Sequence, residues 1–172
     1  MKALRTVFSA VDTVSTWLGK GVSFLLIVLI LALTYDTFMR YVFREPTVWA
    51  YDIAYMVGGT IMLMGMAWVT TRREQVRVDI LYTRYSEKAK LAVDAIGNIF
   101  LFLPLFAFMV IEHAVPRAIR SFTTGEFSEV GFWRPPLWPY RWMMLVALTM
   151  WLLASIVWVV RDLHKVRTGE DL

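Results

Sequence analysis

The sequence predicts an all-α integral membrane protein with four transmembrane helices, both termini in the cytoplasm, and an N-terminal amphipathic helix in the membrane interface. Three observations predict it. Hydrophobic residues make up 58% of the 172 and charged residues 19%, where a soluble domain carries about 25% charged residues. The apolar residues gather in four blocks, each long enough at about 1.5 Å per residue to cross about 30 Å of hydrocarbon. Lys and Arg are unevenly shared between the two sides that such a fold creates. Twelve fall at the N-terminus (Lys2, Arg5, Lys20), in the middle (Arg72, Arg73, Arg77, Arg84, Lys88, Lys90) and in the tail (Arg161, Lys165, Arg167). Six fall on the other side: Arg40, Arg44, Arg117, Arg120, Arg134 and Arg141. The positive-inside rule puts the first group in the cytoplasm.

In residues 2–18, Leu4, Val7, Phe8, Val11, Val14 and Leu18 recur at helical spacing, which reads as a helix lying in the interface. A cleaved signal peptide does not fit, because the apolar core begins only at Gly21 and no small-residue cleavage site follows it. The first span covers 21–42, with Lys20 placed to snorkel at its start and Asp36 and Arg40 spaced to pair near its end. A turn at 43–47 leads into the second span, 48–71, with Pro46 suited to the helix entry. Ala54, Gly58 and Gly65 share a face there, where small residues let another helix approach closely.

A basic island, Thr70 to Asp79, follows. Val78, Leu81, Tyr82 and Tyr85 then suggest a short interfacial helix, and Ser86 an N-cap. The third span covers 89–114. Pro104 removes a hydrogen bond to the Phe100 carbonyl, so a bend is expected, and Asn98 requires an interhelical partner. Residues 115–136 read as the longest loop, greasy with Phe122, Phe127, Phe132 and Trp133. The fourth span, 137–160, opens with Trp138, Tyr140 and Trp142 at an interface. The polar tail, 161–172, reads as frayed.

Composition also excludes chemistry. There is no cysteine, so disulfide scaffolds, thiol redox chemistry and thiolate metal sites are ruled out. His113 and His164 fall near opposite faces and cannot together hold a haem. No catalytic triad or phosphate-cradling loop is present, so no catalytic, cofactor or metal residue is assigned. The pI of about 9.5 reflects membrane topology and not nucleic acid, because the basic residues flank apolar blocks. A self-sufficient transporter would need ionisable groups near the bilayer midplane. Asp36, Asp52, Glu112 and Arg141 all fall near span ends instead. Trp49 and Asp52 share a helix face, read as an interfacial aromatic and a locally paired acid. Arg77 and Asp79 are open to two readings: a solvated charge run, or Arg77 on a lipid phosphate or partner carboxylate with Asp79 capping the next helix.

Four pieces in order carry a family resemblance. Arg40-Tyr41-Val42-Phe43 ends the first span. Trp49-Ala50-Tyr51-Asp52 opens the second, and Gln75-Val76-Arg77-Val78-Asp79 follows it. Gly125-Glu126-Phe127-Ser128 then leads to Pro136-Leu137-Trp138-Pro139. The chain resembles the small membrane subunit of tripartite ATP-independent periplasmic (TRAP) transporters, of the DctQ type. Asp52 stands where that family commonly has Glu, and Gln75 where it commonly has His.

The resemblance implies a multi-pass protein of the bacterial inner membrane. It would pair with a large elevator-type subunit that takes up an organic acid with sodium, the acid being delivered by a periplasmic receptor. The chain's own part would be a scaffold. Contacts with these partners or with bound phospholipid are expected at Arg40, Trp49, Asp52, Gly58, Gly65, Arg72, Arg73, Arg77, Asp79, Glu126, Ser128, Pro136 and Trp138. The alternatives are an independent small four-span multidrug-type transporter, for which Asp36 lies too near a span end, and a haem or quinone membrane anchor, against which the histidine count argues.

Overall fold

A computed structural model describes residues 2–75 and 85–168. Arg77, Asp79 and the expected helix around Val78, Leu81 and Tyr82 lie outside the described residues. Among the described residues four helices are long and apolar enough to cross a membrane: Thr6–Phe43, Ala50–Arg72, Ala89–Thr124 and Trp138–Thr168.

The first helix, α1 (Lys2–Phe38), is a single rod. Residues 2–18 and the first span are therefore not separate elements. No proline or cap interrupts 18–21, and in lipid every backbone group must bond within its own helix. At 37 residues the rod is about 55 Å long, well beyond the hydrocarbon thickness. Its last turn widens into a π-helical stretch, Met39–Phe43, closed by Arg44 in the left-handed region at φ 57°. Pro46 precedes α2 (Ala50–Arg72) by four residues and is not its entry residue.

The third span is helical well past the expected boundary, to Thr124. It is built from α3 (Glu87–Gly97), α4 (Leu103–Phe108) and α5 (Val115–Thr124). As expected, Ser86 caps α3, accepting from the Ala89 amide. Two π-helical turns, Asn98–Phe102 and Met109–Ala114, join the pieces. Each ends two residues before a proline, Pro104 and Pro116. A proline ring clashes with the carbonyl one turn back and cannot donate to it; a widened turn removes both conflicts. Pro116 therefore does not end the helix, and the loop shrinks to residues 125–137. Asn98 needs no interhelical partner, because its Nδ2 donates to the Asp94 carbonyl at 3.1 Å.

The last helix, α6 (Trp138–Thr168), continues through the segment expected to fray. It is held there by Arg161, which pairs with Asp12 at 2.6 Å and lies over the Phe8 ring, and by Asp162, fully buried against Arg73.

The helices pack in sequence, α1 on α2, α2 on α6 and α6 on the third span, with α1 also touching α6. Near α1, Val22, Met64 and Ala147 bring three helices together. On the other side of α6, Phe106, Val110 and Leu148 pack together. There Trp151 meets Phe106 and Phe102 edge-on at centroid distances of 4.3 and 5.4 Å. The same Trp151 donates through Nε1 to Thr70 Oγ1 on α2 at 2.8 Å, so one side chain ties three neighbours. Phe24 on α1 and Phe100 and Leu101 on the third span are at least 70% exposed. The two edge helices thus leave broad apolar flanks uncovered by this chain.

Candidate interaction sites at the two ends of the row

Among the described residues the ion pairs lie at the ends of the helices. One end carries the 125–137 loop and is called the loop end; the other carries both termini and is called the tail end.

At the loop end, Asp36 gathers the turn after α1. It pairs with Arg40 at 2.7 Å and accepts from the Thr47 amide at 2.9 Å and the Thr47 hydroxyl at 2.5 Å. The Asp36–Arg40 pair is as the spacing predicts; Thr47 is the addition. Trp49 stacks on Tyr35 at 5.9 Å. Asp52 is fully buried, and its partner is not local: Ser128 Oγ on the loop donates to Asp52 Oδ1 at 2.6 Å. The Gly131 backbone sits so close to the other carboxylate oxygen that a side chain there would occupy its space. The loop is pinned from below in the same way. The Ser128 amide donates to the Pro135 carbonyl and the Leu137 amide to the Glu126 carbonyl, both at 2.8 Å, with Phe127 bridged to Pro136. Glu126 is clamped between Arg120, at 3.1 Å, and Arg141. Trp138 packs edge-on against Phe122. Phe132, 94% exposed, stands at the loop tip.

Thus Asp52, Glu126, Ser128 and Pro136, singled out separately in the sequence, form one structure with Gly131, Arg120 and Arg141, which sequence reasoning did not assign. The signal for Gly131 was its place between Ser128 and Pro136; a glycine in a loop has too many other uses to be diagnostic.

At the tail end, Arg73 closes α2 in the left-handed region at φ 58° and reaches Asp162 at 2.6 Å, over the Trp158 ring. Arg72 lies over Trp68 at 5.1 Å and pairs with Glu74 at 3.6 Å. Thr70, fully enclosed, accepts from both Gln75 Nε2 and Trp151 Nε1 at 2.8 Å. In the sequence Thr70 reads only as the first residue of the basic island and Arg161 only as one of the cytoplasmic basic residues, and Asp162 falls in the tail without a role.

The glycines expected to form a packing face do not do so within this chain. Nothing lies within 4 Å of a Cβ built on Gly58 or Gly65. The close approaches fall elsewhere: a Cβ on Gly19 would lie 2.6 Å from the Trp68 ring, and one on Gly59 would lie 2.5 Å from the Tyr140 hydroxyl. Among the described residues no group of three or more His, Asp and Glu side chains is placed to hold a metal ion.

Compared with known families, residues 29–165 match the model described as tripartite ATP-independent periplasmic transporters, DctQ component. The match takes in the later part of the first span, most or all of the other three, and the loop end. The chain belongs to that family. Neither the curated proteins nor the solved structures give a match. The DctQ match begins inside α1, so the pairing of Asp12 with Arg161 joins a segment before the matched region to one near its end.

Proposed function

We propose that this small membrane subunit of a TRAP transporter is a non-catalytic scaffold. It holds a large elevator-type subunit in the bacterial inner membrane for sodium-coupled uptake of an organic acid delivered by a periplasmic receptor. The observation that carries the reading is the emptiness of the span interiors. Residues 21–35, 53–71, 95–111 and 142–160 contain no Asp, Glu, Lys, Arg or His. Alternating access with a coupling ion needs such groups, or broken helices, at mid-depth. The π-helical turns of the third span keep the helix continuous; the first, Asn98–Phe102, carries no charged residue, and in the second Glu112 and His113 stand at the outer end of the apolar stretch. The described charges instead form two bands at the helix ends, where Asp36 with Arg40, Glu126 with Arg120 and Arg141, Arg73 with Asp162 and Arg161 with Asp12 tie neighbouring segments together.

On this reading the apolar flank of α1 or of the third span meets the large subunit. Gly58 and Gly65, which no helix of this chain approaches, are open to a helix of the partner. The loop end faces the periplasm, with Arg40, Trp49 and the Asp52-anchored loop around Glu126, Ser128, Pro136 and Trp138 on the receptor side. On the cytoplasmic side Arg72 meets lipid headgroups. The test is uptake by proteoliposomes that contain the large subunit and receptor, with and without this chain. Transport that depends on the chain supports the scaffold; full transport without it refutes the reading.

A further inference from the structure

The loop end holds a cleft of about 690 Å³ between the third span, α6 and the 125–137 loop. Its composition is graded. Met109, Met144 and Leu148 line the part within the spans, and Arg117, Arg120 and Arg141 line the part at the rim. Glu126 and Glu129 are also present, so the arginines exceed the acids by one. Glu126 is already engaged by Arg120 and Arg141. Arg141 also donates to the Arg117 carbonyl at 3.3 Å, which holds that turn in place. The Arg117 side chain is exposed and has no ion pair among the described residues. The cleft therefore offers an apolar channel at span depth, continuous with a guanidinium at the level of the span ends.

We propose that this cleft binds one anionic phospholipid, with an acyl chain along Met109, Met144 and Leu148 and the phosphate on Arg117. A soluble anion would use the rim and leave the apolar part idle. A neutral hydrocarbon would use the floor and gain nothing from the Arg117 guanidinium at the rim. A phospholipid satisfies both, and Arg suits the phosphate because its fork matches the oxygens in pairs. The clamp on Glu126 places the same lipid against the segment that anchors the loop, so an occupied cleft braces the loop from its membrane side. The inference rests on the chain lying in a bilayer and is independent of the scaffold reading.

The experiment is native mass spectrometry of the full chain in nanodiscs containing equal parts phosphatidylglycerol and phosphatidylcholine. The wild-type chain retains one phosphatidylglycerol. Arg117→Ala reduces that retention about fivefold, Arg117→Lys restores part of it, and Met109→Trp, which fills the channel, removes it. Arg44→Ala, at an exposed arginine at the same end but outside the cleft, leaves it unchanged. Equal retention by wild type, Arg117→Ala and Met109→Trp overturns the proposal. Displacement of the lipid by millimolar glycerol phosphate overturns it too, because the site then recognises a free anion. Unchanged circular dichroism of the variants shows that lost binding is not lost folding.

Discussion

Ser128 reaches Asp52 across 76 residues of sequence, and the 2.6 Å bond between them is fully buried. Leaving a buried polar group without its hydrogen-bond partner costs about 1–3 kcal/mol. Ser128→Ala should therefore cost about 2 kcal/mol, and Asp52→Leu/Ser128→Ala less than the two single changes together. Thermal unfolding in detergent of the four members of the cycle measures the coupling. Additive effects would mean that the pair does not hold the loop.

Gly131→Ala should reproduce the loop phenotype of Ser128→Ala without removing any hydrogen-bonding group. Its methyl would enter the space of the Asp52 carboxylate, so the loop must lift. Limited proteolysis between 125 and 137 reads this directly. Wild-type resistance in Gly131→Ala would contradict the packing described.

The glycines separate into two kinds. Gly19→Leu should overpack the contact with Trp68, at about 1–3 kcal/mol. Gly58→Leu should leave the stability of this chain unchanged and weaken only its association with the large subunit. Melting temperature and co-purification, measured on both variants, distinguish the cases.

At the tail end, Arg73→Ala strands the buried Asp162 carboxylate and should cost about 3 kcal/mol, the low end for a broken buried pair because Arg73 is 39% exposed. Arg73→Ala/Asp162→Leu should recover most of that loss. A double variant as unstable as the single would show that Asp162 has another task.

Much of this was legible in the sequence, for identifiable reasons. Span two and the start of span four follow hydropathy, and span two ends at the charged pair Arg72 and Arg73. The Asp36–Arg40 pair follows from helical spacing alone. What was not legible depends on distant partners. Nothing local distinguishes Asp52 as the anchor of a loop, or Gly19 as the site of contact with Trp68. The third span is expected to stop at Ala114, yet the π-helical turn before Pro116 carries the helix on to Thr124. The tail reads as frayed by composition, but Arg161 and Asp162 find Asp12 and Arg73 only once the row is assembled.

The orientation rests on charge asymmetry and has a clean test, because the chain has no cysteine. Glu74→Cys and Glu129→Cys, both at exposed positions, should label from opposite faces of intact cells, with Glu129→Cys reached from the periplasm. Labelling of Glu129→Cys only after the membrane is breached would invert the topology.

The most direct test of the scaffold reading is substrate selectivity. The quantity is the ratio of kcat/KM for several organic acids, measured in proteoliposomes with the receptor and the large subunit. This chain is supplied as wild type, Asp52→Asn, Arg40→Ala or Arg117→Ala. A scaffold without a substrate contact can lower all rates together, through assembly or receptor docking, while the ratios between acids stay fixed. Fixed ratios are the predicted result. A substitution in this chain that changes which acid is preferred would place part of the substrate site here and contradict the account.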